Sequence, residues 1–278
     1  MKFDKNTKIL IVGLGLIGGS YAKALSDEGY FVGAIDKKKS SVEYALKNGL
    51  IQVGETSVKK DFVKDFDLIV FALYPHDFIN WIKEYQSSIK SGALITDVTG
   101  VKSFVVENVQ KILRSDLEFV GAHPMAGKEV SGVENADPKI FAGANYIVTP
   151  TKRNTDENVQ AVKDLGRALG FERISSLSPE EHDETVGFLS HLTHCIAVSL
   201  MVSKKSHHLA EYTGDSFRDL TRIAKINDEM WSELFLANKD ELLKQMDLFE
   251  EKFNQLKEDI KNDNREKIRE NILLGYYD

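Results

Sequence analysis

The chain has 278 residues, 42% of them hydrophobic, which suffices for one large globular domain or two ordinary ones. Its 36 lysines and arginines against 43 aspartates and glutamates give a net charge of -7, which argues against a nucleic-acid-binding surface. We therefore expect a small-molecule partner and no nucleic acid. The single cysteine, Cys195, excludes an internal disulfide and suits a reducing compartment.

The first residues are not expected to form a signal peptide. Asp4 interrupts the basic residues Lys2, Lys5 and Lys8, and glycines occupy the apolar stretch that follows. No apolar run approaches the roughly 20 residues of a membrane span. We expect a cytoplasmic protein with no membrane partner.

From residue 8 to about residue 175, short apolar runs alternate with segments of helical periodicity. This alternation is typical of a parallel β-sheet with helices on both faces. The predicted strands span residues 9–12, 31–35, 68–73, 94–98, 119–122 and 146–149. The predicted helices span residues 19–28, 41–48, 76–89, 101–113 and 157–169.

Beyond residues 178–181 the strand-like runs disappear. The predicted fold is therefore α/β, with a Rossmann-type, doubly wound and mostly parallel sheet over residues 1–175 and an all-helical domain over residues 176–278. The last long helix carries a narrow apolar stripe of Leu242, Met246, Phe249, Phe253, Leu256 and Ile260. Packing within one subunit and a homodimer interface both explain such a stripe, and we favour a homodimer through these C-terminal helices.

A glycine-rich turn follows the first predicted strand. Gly13, Gly15 and Gly18 form the pattern G-x-G-x-x-G between a strand and a helix, which is the context of a dinucleotide-binding turn. The first glycine permits the tight turn, the second lets a pyrophosphate approach, and the third lets helix and strand pack closely. We expect this turn, with Leu16 and Ile17 inside it, to bind the cofactor through backbone N–H groups.

Asp36 follows the second predicted strand, about 20 residues past the glycines, where a carboxylate binds the adenosine ribose and repels a 2′-phosphate. This position favours NAD. Three lysines, Lys37, Lys38 and Lys39, keep NADP as the alternative cofactor. For the glycine turn itself, the alternatives are a flavin or methyl-donor site on a similar fold, or a turn without a ligand.

His123 follows the fifth predicted strand, and ligands bind beyond the carboxyl ends of strands in doubly wound sheets. An imidazole titrates near neutral pH and can accept a proton from a hydroxyl as hydride leaves. A structural cap of the strand is the alternative.

His191 and His194 stand three residues apart on a predicted helix and are expected to share a face. No matching cysteines or carboxylates suggest a metal site, so none is expected. Arg222 offers a planar fork for a substrate carboxylate, with Asp219 one turn earlier; a surface ion pair between the two is the alternative.

Together these segments resemble the prephenate dehydrogenase family of tyrosine biosynthesis, which includes arogenate dehydrogenases. The resemblance spans nearly the whole chain. Its motifs are the glycine turn, residues 97–102 (DVTGVK), His123-Pro124 with residues 131–134 (SGVE), residues 190–194 (SHLTH), and residues 221–224 (TRIA) with Trp231.

The resemblance implies a Rossmann domain joined to a helical dimerisation domain, with the active site in the cleft between them. It implies that His123 is the catalytic histidine and that Arg222 binds a substrate carboxylate. His194 would help to hold the substrate, with His191 beside it, and Glu129 would lie at the pocket entrance.

Two positions in the pocket depart from the family or vary within it. Where the family commonly has a serine whose hydroxyl contacts the catalytic histidine, this chain has Gly100, so that Thr99 or water must replace the hydroxyl. Lys128 is a variable position of the pocket loop and weakens any inference about substrate choice.

The resulting hypothesis is NAD-dependent oxidative decarboxylation of prephenate to 4-hydroxyphenylpyruvate. Arogenate, which carries an amino group in place of the keto group, is the alternative substrate. A β-hydroxyacid dehydrogenase is a further alternative, although that class is expected to use a catalytic lysine. A non-catalytic NAD(H)-sensing protein is the alternative from another class.

Overall fold

The computed structural model describes residues 1–204 and 209–275. The chain divides into two compact units. The first unit comprises Met1–Val186 and Lys225–Ala237, and the second comprises Gly187–Ala224 and Asn238–Asp278. A short helical segment from late in the chain thus belongs to the first unit.

The first unit contains a parallel sheet, as predicted. The predicted strand 146–149 lies in another sheet, and this sheet has six strands, of which residues 53–55 were not predicted. Its strands are β1 (Lys8–Val12), β2 (Phe31–Ile35), β3 (Val53–Glu55), β4 (Leu68–Phe71), β5 (Leu94–Asp97) and β6 (Glu118–Phe119). They lie in the order β3-β2-β1-β4-β5-β6 with every neighbouring pair parallel. The chain therefore winds outward from β1 in both directions, which is the doubly wound topology.

Helices cover both faces of this sheet, and two further helices pack on strands that follow it. The helices of the first unit up to residue 186 are α1 (Leu16–Asp27), α2 (Lys39–Lys47), α3 (Lys60–Val63), α4 (Pro75–Tyr85), α5 (Ser103–Ile112), α6 (Asp156–Ala168) and α7 (Pro179–Val186), of which α6 and α7 contact the second sheet described below. Successive residues of β1 point into different cores: Ile9 and Ile11 belong to one apolar cluster, Leu10 and Val12 to the other. Burial on both faces explains why the strands are apolar without alternation.

The predicted strand 119–122 is wrong as a single strand. The chain pairs with β5 as far as Phe119 and then enters a second sheet of three strands, β7 (Gly121–Pro124), β8 (Asn145–Thr149) and β9 (Arg173–Ser176). β7 is antiparallel to β8, and β8 is parallel to β9. An unbroken apolar run cannot reveal that the chain changes hydrogen-bonding partners in its middle.

Other predicted elements have the right type with shifted ends. Helix α1 begins three residues earlier than predicted, because Gly18 and Gly19 lie inside it and against neighbouring backbone and side chains. Strands β3 and β9 were not predicted, since neither contains a buried apolar run.

The second unit is helical throughout its described part, as predicted. A π-helical segment, Gly187–Leu192, leads into α8 (Thr193–Ser203), which is followed by α9 (Leu209–Tyr212) and α10 (Asp215–Thr221). Helix α11 (Asp228–Ala237) lies in the first unit, and α12 (Lys239–Lys261) and α13 (Arg265–Leu274) complete the second.

The apolar stripe of α12 is largely exposed on the single chain. Leu242 is buried, whereas Phe253 and Ile260 are 59% and 58% exposed, and Met246 and Phe249 are also exposed. Packing within this chain therefore leaves most of the stripe uncovered.

One helical stretch, Pro179–Ser203, is long and apolar enough by length and composition to cross a membrane, with a mean hydropathy of 1.5 over its most apolar window. Its sequence does not form a continuous apolar run, because His182, Asp183, His191 and His194 interrupt the apolar residues. Only 28% of that window is buried within the chain. A helix of this kind also suits a subunit interface.

Candidate active site

The glycine turn between β1 and α1 has the geometry that its sequence predicts. A β-carbon on Gly13, whose φ is +100°, would lie 2.4 Å from the carbonyl oxygen of Ala72, and one on Gly18 would lie 2.0 Å from the carbonyl oxygen of Gly13. Gly15 has nothing within 4 Å of that position. Backbone packing thus requires glycine at positions 13 and 18. Gly15 faces open space through which a phosphate can approach the main chain.

The start of α1 has no side-chain cap and no acidic residue in its first turn. Leu16 is buried and Ile17 packs against the core, so these two residues present backbone N–H groups rather than side chains. N–H groups at a helix start have no partner within the helix and bind anions. The turn therefore fits a dinucleotide pyrophosphate.

Asp36 lies at the end of β2 beside this turn. Its carboxylate accepts hydrogen bonds from the backbone N–H groups of Leu14 and Lys38, each at 2.7 Å. These bonds fix the carboxylate against the glycine turn, where it suits a ribose diol. Lys37 and Lys39 are exposed, as expected for a solvated helix start.

His123 lies in β7, paired with Ile147 of β8, rather than just beyond a strand of the six-stranded sheet as predicted. Its Nε2 lies 3.8 Å from the position that a β-carbon would take on Gly100. Its Nδ1 lies 2.9 Å from Nε2 of His182 in α7. The ring is half-buried, with one nitrogen toward the Gly100 turn and the other toward a second histidine.

His182 joins His123 to a buried carboxylate. Its Nδ1 lies 2.8 Å from Oδ1 of Asp183, which also accepts the backbone N–H of Lys102 at 2.7 Å. The other oxygen of Asp183 accepts the N–H of Ser103, also at 2.7 Å. Burial would raise the pKa of Asp183, but these hydrogen bonds together hold it below its usual value. Burial lowers the pKa of His182, although Asp183 opposes the shift.

A buried ion pair between Lys102 and Asp97 lies next to the strand that carries His123. Nζ of Lys102 lies 2.6 Å from Oδ2 of Asp97, and both side chains are fully buried. The other oxygen of Asp97 accepts the N–H of Ala122, next to His123, at 3.0 Å. Burial lowers the pKa of the Lys102 ammonium, with the Asp97 carboxylate acting in the opposite direction. The pair therefore ties the end of β5 to the strand that carries His123.

Thr99 does not supply the hydroxyl that Gly100 lacks. Its Oγ1 is hydrogen-bonded to Asp97, lies 2.9 Å from the carbonyl oxygen of Val101, and accepts from Nζ of Lys102 at 3.0 Å. The hydroxyl is thus committed to the buried ion pair.

The loop after β7 carries Lys128 and Glu129, both exposed. Nζ of Lys128 lies 2.9 Å from Oδ2 of Asp137, and this pairing lowers the pKa of Asp137. Lys128 is therefore held within the first unit by an exposed ion pair.

The remaining predicted residues lie in the second unit. His191, in the π-helical segment, is buried, with its Nδ1 3.3 Å from the side-chain nitrogen of Asn238. His194 lies in the first turn of α8 and is half-buried, with its Nδ1 2.8 Å from the carbonyl oxygen of Ser190. Arg222 is exposed at the end of α10. π-helical turns are rare and often occur at functional sites.

Comparison with known proteins identifies the family. Residues 21–173 match the family described as prephenate dehydrogenase, nucleotide-binding domain, and residues 178–273 match prephenate dehydrogenase, dimerization domain. The chain belongs to the prephenate dehydrogenase family. It is 33% identical to the prephenate dehydrogenase of Bacillus subtilis over 94% of this chain and 72% of that protein.

Solved structures agree with this membership. The prephenate dehydrogenase of Aquifex aeolicus, crystallised with hydroxyphenyl propionate and NAD+, superposes with a TM-score of 0.87 at 34% identity, covering 96% of this chain and 94% of that one. Arogenate dehydrogenase of Synechocystis has the same fold, with a TM-score of 0.82 at 24% identity over 96% of this chain and 97% of its own.

Two residues of the His123 network, His182 and Asp183, were not predicted from the sequence of this prephenate dehydrogenase family member, and Lys102 appeared there only within the motif of residues 97–102. One signal for the first two exists. The buried residues of α7 are Pro179, His182, Asp183 and Val186, whose spacing marks the inner face of a helix. Two polar residues on such a face predict a buried polar contact.

Proposed function

We propose that this protein is an NAD-dependent prephenate dehydrogenase that converts prephenate to 4-hydroxyphenylpyruvate. The observation that supports the reaction is His123, whose Nε2 faces the Gly100 turn while its Nδ1 contacts His182. The contact with His182 orients the imidazole, and a substrate bound at Nε2 would then meet it as a general base.

His123 would accept the proton of the ring 4-hydroxyl while the ring carbon that carries this hydroxyl loses a hydride. NAD, when bound, supplies the hydride acceptor. Loss of the ring carboxylate as CO2 then sends an electron pair through the ring to the oxygen, which takes the proton back from His123. Atoms and charge balance, and formation of the aromatic ring provides the driving force.

The first unit would hold NAD at the turn of Gly13, Gly15 and Gly18, through the backbone N–H groups of Leu16 and Ile17. Asp36 would bind the adenosine ribose and disfavour the 2′-phosphate of NADP. The open space at Gly15 and the fixed carboxylate of Asp36 support this assignment.

We assign the substrate's side-chain or ring carboxylate to Arg222, with His194 as a second polar contact and with His191 and Gly100 as further substrate-binding residues. Glu129 and Lys128 would lie where the substrate enters. The guanidinium fork of Arg222 and its exposure support the first assignment. These roles imply that residues 1–175 bind the nucleotide and residues 176–278 contribute to the substrate pocket.

We further propose a cytoplasmic homodimer that forms through the C-terminal helices. The exposed stripe of α12, with Phe249 and Phe253 on it, supports this state, because an apolar helix face of that length is covered in a stable protein. The match of residues 178–273 to a dimerization domain points the same way.

The test is a steady-state assay of the purified protein, following the absorbance of NADH with prephenate or arogenate and with NAD or NADP. Turnover with prephenate and NAD is expected. A preference for arogenate would make arogenate the substrate. Oxidation of a β-hydroxyacid alone would show that the protein is a β-hydroxyacid dehydrogenase. Nucleotide binding without turnover of any substrate would make the protein a sensor.

A further inference from the structure

A chain of three side chains runs from His123 into the protein interior: His123, His182 and Asp183, at 2.9 and 2.8 Å. Each contact needs one donor and one acceptor, and a neutral imidazole has one of each. The positions of the protons between these three side chains therefore follow once the donor and the acceptor at Asp183, the buried end, are known.

Asp183 determines the first proton. Both of its oxygens face backbone N–H groups, those of Lys102 and Ser103, which can only donate. The carboxylate is therefore an acceptor toward all its partners, and Nδ1 of His182 carries the hydrogen between them.

His182 determines the second proton. Its ring is fully buried, and burial lowers its pKa, so that the ring is neutral and its Nε2 has a lone pair. The hydrogen between the two rings therefore belongs to Nδ1 of His123. A neutral His123 then has its lone pair on Nε2, the atom on the side of Gly100.

We propose that His182 and Asp183 are positioning residues that hold His123 in the tautomer with a lone pair on Nε2. Only this tautomer can accept the substrate's proton at Nε2. This inference rests on the proposed function for its catalytic consequence, whereas the tautomer itself does not. When His123 becomes an imidazolium, the same chain stabilises the charge through the Asp183 carboxylate. The charged groups that face His182 are Asp183, the Lys102 ammonium and the Asp97 carboxylate.

The tautomer is measured directly by nitrogen NMR of protein labelled with ¹⁵N-histidine, without substrate. The seven histidines are assigned with His123→Asn and His182→Gln variants. We expect His123 and His182 to carry hydrogen on Nδ1. A hydrogen on Nε2 of His123 at neutral pH would overturn the proposal whatever the enzyme's substrate.

Asp183→Asn tests the consequence. An asparagine with its NH2 at the Oδ1 position would donate to Nδ1 of His182 and reverse both tautomers, while its oxygen accepts the N–H of Ser103. In the opposite orientation the NH2 faces that N–H and the tautomers stay. Both orientations remove the negative charge that stabilises the imidazolium of His123. We expect kcat to fall by about 100-fold or more, the loss of a general base, with the Kd of NAD unchanged. The matched control is Glu180→Gln, the same change at an exposed position of α7, which should leave kcat unchanged.

A double-mutant cycle separates positioning from folding. If Asp183 acts through His123, then Asp183→Asn should cost less than about threefold in a His123→Asn background, measured in single turnovers. A cost equal to that in the wild type would show a structural role and overturn the proposal.

Two variants of His182 cover the case in which Asp183→Asn does not fold. His182→Gln retains an acceptor for Nδ1 of His123 and should keep more than a tenth of wild-type kcat, whereas His182→Leu retains none and should lose about 100-fold. Equal losses in the two would overturn the proposal. Absence of prephenate turnover in the wild type, with the expected tautomers in the NMR spectrum, would instead refute the proposed function.

Discussion

Nε2 of His123 lies 3.8 Å from the position that a β-carbon would occupy on Gly100. Two methyl carbons of Leu234 lie at 3.5 Å from the same position, an ordinary van der Waals distance, and Gly100 does not have a positive φ. The turn therefore has room for the serine that the family commonly carries there, within reach of the His123 ring.

We predict that Gly100→Ser folds normally and raises kcat/KM for prephenate by about 2- to 10-fold, the value of one added neutral hydrogen bond. Gly100→Ala is the matched control, since it adds the β-carbon without the hydroxyl. Steady-state kinetics of the two variants decide the point. A serine variant no faster than the alanine variant would show that the hydroxyl has no role in this chain.

His123→Asn should lower kcat by about 100-fold or more, because the asparagine amide cannot act as a base near neutral pH. The Kd of NAD, measured by calorimetry, should not change, since the glycine turn and Asp36 are untouched. A change of less than about threefold in kcat would remove His123 from the chemistry.

Arg222→Ala should raise the KM for prephenate by about 30- to 1000-fold, equivalent to about 2–4 kcal/mol, if the guanidinium pairs with a substrate carboxylate. Arg218→Ala is the control, because Arg218 lies on the same helix, is exposed and pairs with Asp215. The two arginines should differ in KM and not in thermal stability. A similar KM for both variants would assign Arg222 to structure.

Asp36→Asn should weaken NAD binding by about 10-fold and improve NADP binding relative to NAD, because the negative charge that repels a 2′-phosphate is lost. The exposed lysines beside it, Lys37 and Lys39, would then favour the phosphate. Calorimetric titration with each nucleotide measures both effects. An unchanged ratio of the two affinities would place the nucleotide discrimination elsewhere.

Acidification should destabilise the protein through His182. Burial holds the pKa of His182 in the folded protein below its ordinary 6.5, so the unfolded chain binds a proton at a higher pH than the folded one. Stability is therefore complete above about pH 6.5 and falls as the pH drops from there toward the lowered pKa. Asp183, whose ordinary value is 3.8, loses its contribution only at lower pH.

Thermal melting between pH 8 and pH 5 tests this. Tm of the wild type should fall below about pH 6.5, and His182→Gln should flatten that fall, since it removes the group that takes up the proton. His76→Gln, the same substitution at an exposed histidine, is the control and should keep the wild-type slope. Equal slopes for His182→Gln and the wild type would exclude His182 as the cause.

The polar network of His123, His182, Asp183 and Lys102 joins segments that lie far apart in the sequence. His123 and His182 are 59 residues apart, and Lys102 and Asp183 are 81 apart. No local spacing connects such residues, and only the packing of α7 against β7 and the start of α5 brings them together. The inward spacing of His182 and Asp183 on α7 indicates burial but does not name a partner.

The sequence by itself determined the parallel sheet, the glycine turn, Asp36 and the helical second half, because each depends on residues close in the chain or on an apolar period. The tertiary structure alone decided that residues 119–122 divide between two sheets and that Lys225–Ala237 returns to the first unit, placing Leu234 over Gly100. It also decided which nitrogen of His123 lies on the side of Gly100. Those features depend on hydrogen bonds and packing between distant segments, which local sequence patterns do not encode.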